Sequence, residues 1–480
     1  MKELCILSPT AILGYGFPEA SFYEGMRHKP DVIAVDAGST DPGPYYLGAG
    51  HSFTDRNAVM RDLSYMIPAA IEAKIPVLIG SAGGSGAQPH LQWNVNIIEE
   101  IAKSKNLNVT MAVISADIPH DAVLAKLASG KIKPLKPAPE LTEQDVYSSV
   151  NIVGQMGAEP FIRALNEGVD VIIAGRAYDP AVFSALAIQN GYDKGLAIHL
   201  GKILECAAIA ATPGSGSDCM IGWLGRDYFR VEPLSPMRKC TVQSVAAHTL
   251  YEKTNPYILP GPGGILDLRN TVFTQETDHS VKVMGSVFQP TTPYYIKLEG
   301  ARSVGFRTVS ICATADPIMM SQIDHIIPAV KDKVQSNFAG TIDAFALDFK
   351  IYGQSGVMGI FAAGIGRVVK ETVPLTTPPA GCQENHLLDN PAQPPELCII
   401  IDAVASTQEQ ANTICSFARS TLLHYGYDGR ISTAGNLAFP FSPSDFKAGE
   451  VFEFSIYHLM ETDDPCECFE MEIKKVGGGQ

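Results

Sequence analysis

Residues 75–87 read IPVLIGSAGGSGA, an apolar run that ends in eight consecutive glycine, serine and alanine residues, and a helical pattern follows from about Gln88 to Lys105. A buried strand, a turn of small residues and a helix in that order leave few folds open. The arrangement belongs to sheets whose strand ends carry ligand-binding loops. Glycine suits such a turn because it takes positive φ and admits close neighbours. Three readings stand side by side. Loop N–H groups and the helix N-terminus hold an anion, such as a carboxylate, phosphate or thioester oxygen. Alternatively, the glycines serve close packing alone. In the third reading Gly83-Gly84-Ser85-Gly86-Ala87 is a near match to a nucleophile elbow, with Ser85 attacking an acyl carbon and His248 as its base. Nucleotide readings fail, because no Lys-Ser/Thr follows the glycines and the third glycine of the dinucleotide pattern is missing.

The rest of the first half repeats this rhythm. Cys5–Leu7, Asp31–Val35, Val109–Ile114 and Val169–Ala174 read as strands, and Arg56–Ala73 as a helix with apolar residues at helical spacing. Strands that are apolar throughout and alternate with helices predict a mostly parallel, Rossmann-like sheet covered on both faces. From about Gly263 the pattern changes. Thr271–Thr274, Ser280–Val287, Tyr294–Leu298, Arg307–Ala313, Asp348–Tyr352, Gly366–Val373, Leu397–Val404 and Val451–His458 read as strands, with helices at Met319–Val334 and Gln408–Leu423. Clustered strands with single helices predict an α+β domain with an antiparallel sheet. The fold class expected is therefore α/β followed by α+β. The domains fall at 1–262 and 263–470, with a long Pro-rich loop at 376–396 and a disordered tail at 471–480.

Composition narrows the function classes. With 36 Lys and Arg against 51 Asp and Glu, the formal charge is 36 − 51 = −15, which argues against a nucleic-acid partner. The ten cysteines lack a disulfide-like spacing, and no segment is long and apolar enough for a signal peptide or a membrane span. A cytoplasmic protein without a membrane partner is expected.

Ligands in such sheets sit beyond the carboxyl ends of the strands, and three strand ends nominate one region: Asp36–Ser39, Ser81–Gly86 and Arg176–Asp179. Asp36 ends a buried strand, where an unpaired carboxylate is costly and a functional one is expected. Arg176 is placed to clamp a substrate carboxylate, or else to pair with Asp36 or Asp179. Asp179 is also a candidate helix cap. Ser39, Ser81, Gly83, Gly84 and Gly86 complete the expected binding loops. His248 and Glu252 stand four apart, a helical spacing that brings an acid–base pair to one face. A structural pair has the same spacing, and no second histidine is near for a metal. Lys297-Leu298-Glu299 puts two charges on one face of a strand.

Gly175-Arg176-Ala177-Tyr178-Asp179, Leu204-Glu205-Cys206, Thr249-Leu250-Tyr251-Glu252 with Asn255-Pro256, and Gly353-Gln354-Ser355-Gly356-Val357-Met358-Gly359 resemble the acyclic terpene utilisation (AtuA-like) family. The likeness runs from about Asp31 to Glu461. The VDAGSTDPGPYYLG segment, Val35 to Gly48, resembles a branch distinct from the one tied to terpene breakdown. The resemblance implies a small companion subunit of about a hundred residues and a role in breaking down branched or multiply carboxylated acids. Together with the strand-end residues it leads to one expectation, a lyase of hydratase or dehydratase type. Its substrate would be a small carboxylic acid or thioester. Asp36, His248 and Glu252 would move the proton, and the glycine loop and Arg176 would hold the anion. A serine hydrolase using Ser85 and a non-catalytic subunit are the alternatives. No cofactor is expected, metal assistance is left open, and an oligomer is expected.

Overall fold

The computed structural model describes residues 2–251, 255–342, 344–354, 356, 394–431 and 434–477. They form two compact units, residues 1–303 with 452–480 and residues 304–451. The 262/263 boundary read from the sequence falls inside the first unit. The two chain crossings lie within long strands, Tyr294–Thr314 and Asp445–Thr462, so no change in composition marks them.

The first unit is built on a ten-stranded sheet. From edge to edge it runs Val272–Gln275, Val281–Met284, Phe229–Pro233, Met220–Leu224, Leu4–Ser8, Val32–Asp36, Val77–Gly80, Val171–Ala174, Val109–Ile114 and Met471–Val476. The strands from Leu4–Ser8 to Val109–Ile114 are mutually parallel, and antiparallel pairs flank them on both sides. Alternate residues enter opposite cores: Ala34, Leu78 and Ile172 pack on one face, and Val35, Ile79 and Ile173 on the other. That two-sided burial is why these strands are apolar throughout. Connecting helices are locally specified. Asp55, for example, accepts from the N–H groups of Asn57 and Ala58 and starts the Arg56–Ala73 helix.

Two expectations are corrected here. The segment expected to be a disordered tail contains the strand Met471–Val476, paired with Val109–Ile114 along its length. The Ser280–Val287 strand is two strands, Val281–Met284 and Val287–Pro290, and the first extends the large sheet of the first unit. The Gly366–Val373 strand, and the 376–396 loop up to residue 393, lie outside the described residues.

In the second unit Phe345–Tyr352, Leu397–Ala405 and the later half of Tyr294–Thr314 pair antiparallel. Leu397, Ile399, Ile401 and Ala403 alternate into a core with Ile326, Val330, Ile414 and Ala418 from the helices Ile323–Phe338 and Gln408–Leu423. The expected antiparallel α+β sheet is thus present.

Candidate functional site

Strand pairing brings the nominated loops together. Asp36 pairs with Gly80 across parallel strands, and Ile79 with Ile173. Beyond the strands, Ala37 N–H donates to Gly80 O (2.9 Å), Ser81 N–H to Gly175 O (3.0 Å), Ala82 N–H to Ala174 O (3.0 Å) and Arg176 N–H to Gly86 O (3.2 Å). The three strand ends are stitched into one floor.

On that floor lies a buried charge cluster. Arg176 donates from Nε to Glu299 Oε2 (2.8 Å) and from Nη1 to Ala177 O (2.7 Å), Ser81 Oγ (3.1 Å) and Asp179 Oδ1 (3.1 Å). Glu299 Oε1 accepts from Thr40 Oγ1 (2.7 Å) and pairs with Lys297 Nζ at 2.6 Å. Arg176 is 3 % and Glu299 0 % exposed. Against the cost of its burial, Arg176 and Lys297 hold the Glu299 pKa down to about 2. The Arg176 pKa is raised in turn: burial alone would lower it, and Glu299 and Asp179 outweigh that. This carboxylate web is the internal partner set that the substrate-clamp reading competed with. The guanidinium anchors the loops.

Asp36 behaves in the opposite way. Burial, reinforced by the negative charges of Asp179 and Glu205, pushes its pKa well above the usual carboxylate range against the pull of Arg176 and the Gly38 N–H. Its Oδ1 has no hydrogen-bond partner among the described residues. It is thus a carboxyl group that holds its proton more tightly than an ordinary aspartate.

The glycine loop is closed on itself. Gly84 N–H donates to Ser81 O (2.8 Å) and Gly86 N–H to Ala82 O (3.1 Å). At the start of the following helix, the Gln88 N–H bonds Asp117, whose pKa burial raises to about 6. An internal carboxylate therefore already occupies the helix N-terminus, and the geometry favours packing as the reason for the glycines. Gly86 makes the point, since a Cβ there would lie 2.1 Å from Arg176 N at φ +70°. We expect Gly86→Ala to cost about 3 kcal/mol, read as a melting temperature lower by about 5–10 °C. Gly83 packs against His90. Ser85 is fully buried, and its Oγ has no partner among the described residues, so no described base touches it.

Ser39 Oγ accepts the Asp41 N–H (3.1 Å) within its own turn. Its neighbour Thr40 is the residue that reaches the cluster. Asp179 is the first residue of its helix and bonds Arg176. His248 ends up buried, with its ring on the Lys202 backbone. Burial and the Lys202 charge lower its pKa to about 4, so it is neutral at neutral pH. Its helix stops at Leu250, with Tyr251 already extended at ψ 171°. Glu252 lies outside the described residues, and so does most of the Gly353–Gly359 motif.

Sequence reasoning missed Lys202 and Glu205 as members of the site. Both are almost fully buried and lie 3.9 Å apart, and Lys202 stands 5.3 Å from the Tyr251 ring. The signal was available: Lys202 is the one basic residue in an otherwise apolar turn, Leu200 to Leu204. Among the described residues no group of three or more His, Cys, Asp and Glu is arranged to hold a metal ion, and no helix is long and apolar enough to cross a membrane.

The model of the acyclic terpene utilisation family protein AtuA matches residues 54–217 and 237–430. The chain belongs to this family. No curated protein and no solved structure matches it. In this family member Arg176, Lys202, Glu205, His248 and Glu299 lie within the matched segments, while Asp36 and Thr40 precede them.

Proposed function

We propose that this family member is a lyase of hydratase or dehydratase type, acting on a small, branched or multiply carboxylated acid or its thioester. Asp36 moves the proton next to the carbonyl. The observation that carries this reading is the Asp36 carboxyl itself. It ends a parallel strand, sits beside Asp179 and Glu205, and has a raised pKa and an oxygen without a partner among the described residues. A carboxyl group with its pKa raised in this way donates a proton at higher pH than an ordinary aspartate and is a stronger base once ionised.

In the hydration direction Asp36 gives its proton to the α carbon while the oxygen of water bonds to the β carbon; water's spare proton passes to solvent, from which Asp36 is reprotonated. In the reverse direction ionised Asp36 takes the α proton, the C–H electrons form the double bond, and the β C–O bond breaks with its electrons going to the hydroxyl, which leaves as water with a proton drawn from solvent. Lys202, a buried cation beside Glu205, supplies charge near the developing enolate oxygen. Arg176 holds Glu299 and Asp179 in place and acts as a positioning residue. A small companion subunit is part of the proposal, drawn from the family resemblance. Ser85, buried without a base, gives the hydrolase reading no specific support.

The test is deuterium incorporation. The chain, alone and with its companion, is incubated in D₂O with a panel of branched and multiply carboxylated acids. Deuterium should appear at the α carbon with the wild type. No exchange into any acid shown to bind would sink the lyase reading.

A further inference from the structure

Phe53 stands outside the hydrogen-bonded cluster but lies across two of its loops. A Cβ on Gly38 would fall 2.4 Å from Phe53 Cε1, and one on Gly84 would fall 2.4 Å from Phe53 Cδ1. Both glycines also hold positive φ, +125° and +96°, so a side chain is excluded there twice over. The two strand-end loops are bare where this one ring covers them. The Asp36 carboxyl accepts the N–H of the same Gly38. Ring and reacting carboxyl therefore meet at one residue.

Phe53 does not stand alone. Tyr46 and Tyr15 meet it edge-on, with ring centroids at 5.9 and 6.5 Å. Phe53 and Tyr46 are part-buried, and Tyr15 is 48 % exposed. None of the three belongs to either core layer of the large sheet. An aromatic group that adds nothing to the core, yet is fitted onto ligand-side loops, forms an apolar surface beside a polar site.

We propose that Phe53, flanked by Tyr15 and Tyr46, is the specificity wall of the Asp36 site. It selects acids that carry a hydrocarbon branch or ring beside the carboxylate-bearing carbon. The proposal rests on the reading of Asp36 as the reacting group, since that fixes which end of the ligand faces the wall. A hydrocarbon branch packed on one aromatic face gains about tenfold or more in affinity.

The probes are succinate and benzylsuccinate, the same diacid without and with an apolar arm, titrated calorimetrically into the full chain. The wild type should bind benzylsuccinate about tenfold tighter or better. Phe53→Ala should erase that preference while leaving succinate within about twofold. Should Phe53→Ala unfold the chain, Tyr15→Ala removes an exposed ring and should still reduce the preference. Equal affinities in the wild type, no binding of benzylsuccinate at millimolar concentration, or a preference that survives both substitutions in folded protein would overturn the wall. Deuterium exchange separates this result from the parent reading. Selectivity without exchange keeps the wall and removes the lyase. Exchange without selectivity does the reverse.

Discussion

Asp36→Asn is expected to abolish proton exchange, by about 10²–10⁴-fold, and to make the folded protein more stable at neutral pH. The two effects have one cause. The Asp36 pKa is raised in the folded state by burial and by Asp179 and Glu205. The stability that its proton provides is therefore fully present below the unfolded carboxylate pKa. It is lost as pH rises through the folded value. Asn cannot ionise, keeps an acceptor for the Gly38 N–H and escapes that loss. Melting curves of the two proteins should coincide in acid and separate toward neutral and alkaline pH, with the variant ahead on the order of 1 kcal/mol. A residue retained only for structure would show the opposite sign at neutral pH.

Glu299→Gln is expected to do the reverse, costing about 3–5 kcal/mol because buried Arg176 keeps only Asp179 as a charged partner among the described residues and the partly buried Lys297 loses the carboxylate it pairs with. The Glu299 pKa is held down to about 2. Its contribution is therefore present above the unfolded pKa and fades as pH falls through the folded value. The deficit should be largest at neutral pH, as a melting temperature lower by about 5–10 °C or more, and should shrink in strong acid. A second readout marks Glu299 as a positioning residue. With Glu299 neutral, the Arg176 charge acts more fully on Asp36. Any remaining exchange should then show its pH profile moved toward acid. A purely structural pair would lower stability without moving the profile.

The parallel centre of the sheet was legible because its strands are continuous apolar runs closed by turn residues, as at Asp31–Val35 and Val169–Ala174. Meeting of the three strand ends follows from that architecture, and Asp36, Ser81 and Arg176 do lie together. The antiparallel additions were less legible. Met471–Val476 carries three charged residues on an edge strand, and its strand character comes from its partner Val109–Ile114. The site's charge balance was hidden for another reason. Lys297-Leu298-Glu299 shows that two charges share a face, but not that Arg176, 123 residues away, meets Glu299. The glycine loop reads two ways because its small residues fit a bound anion and a tight backbone contact equally well. The Arg176 N–H beside Gly86 shows the tight contact.

Whether Asp36 holds its proton in the folded protein at a pH where an ordinary aspartate has lost it can be read from the carboxyl group itself. Carboxyl ¹³C NMR of aspartate-labelled chain, assigned through Asp36→Asn, follows this one group as pH is raised. The Asp36 resonance should stay in the protonated range past the pH at which the exposed aspartates have titrated, and should be missing from the variant. An Asp36 resonance titrating together with the exposed aspartates would contradict the raised pKa.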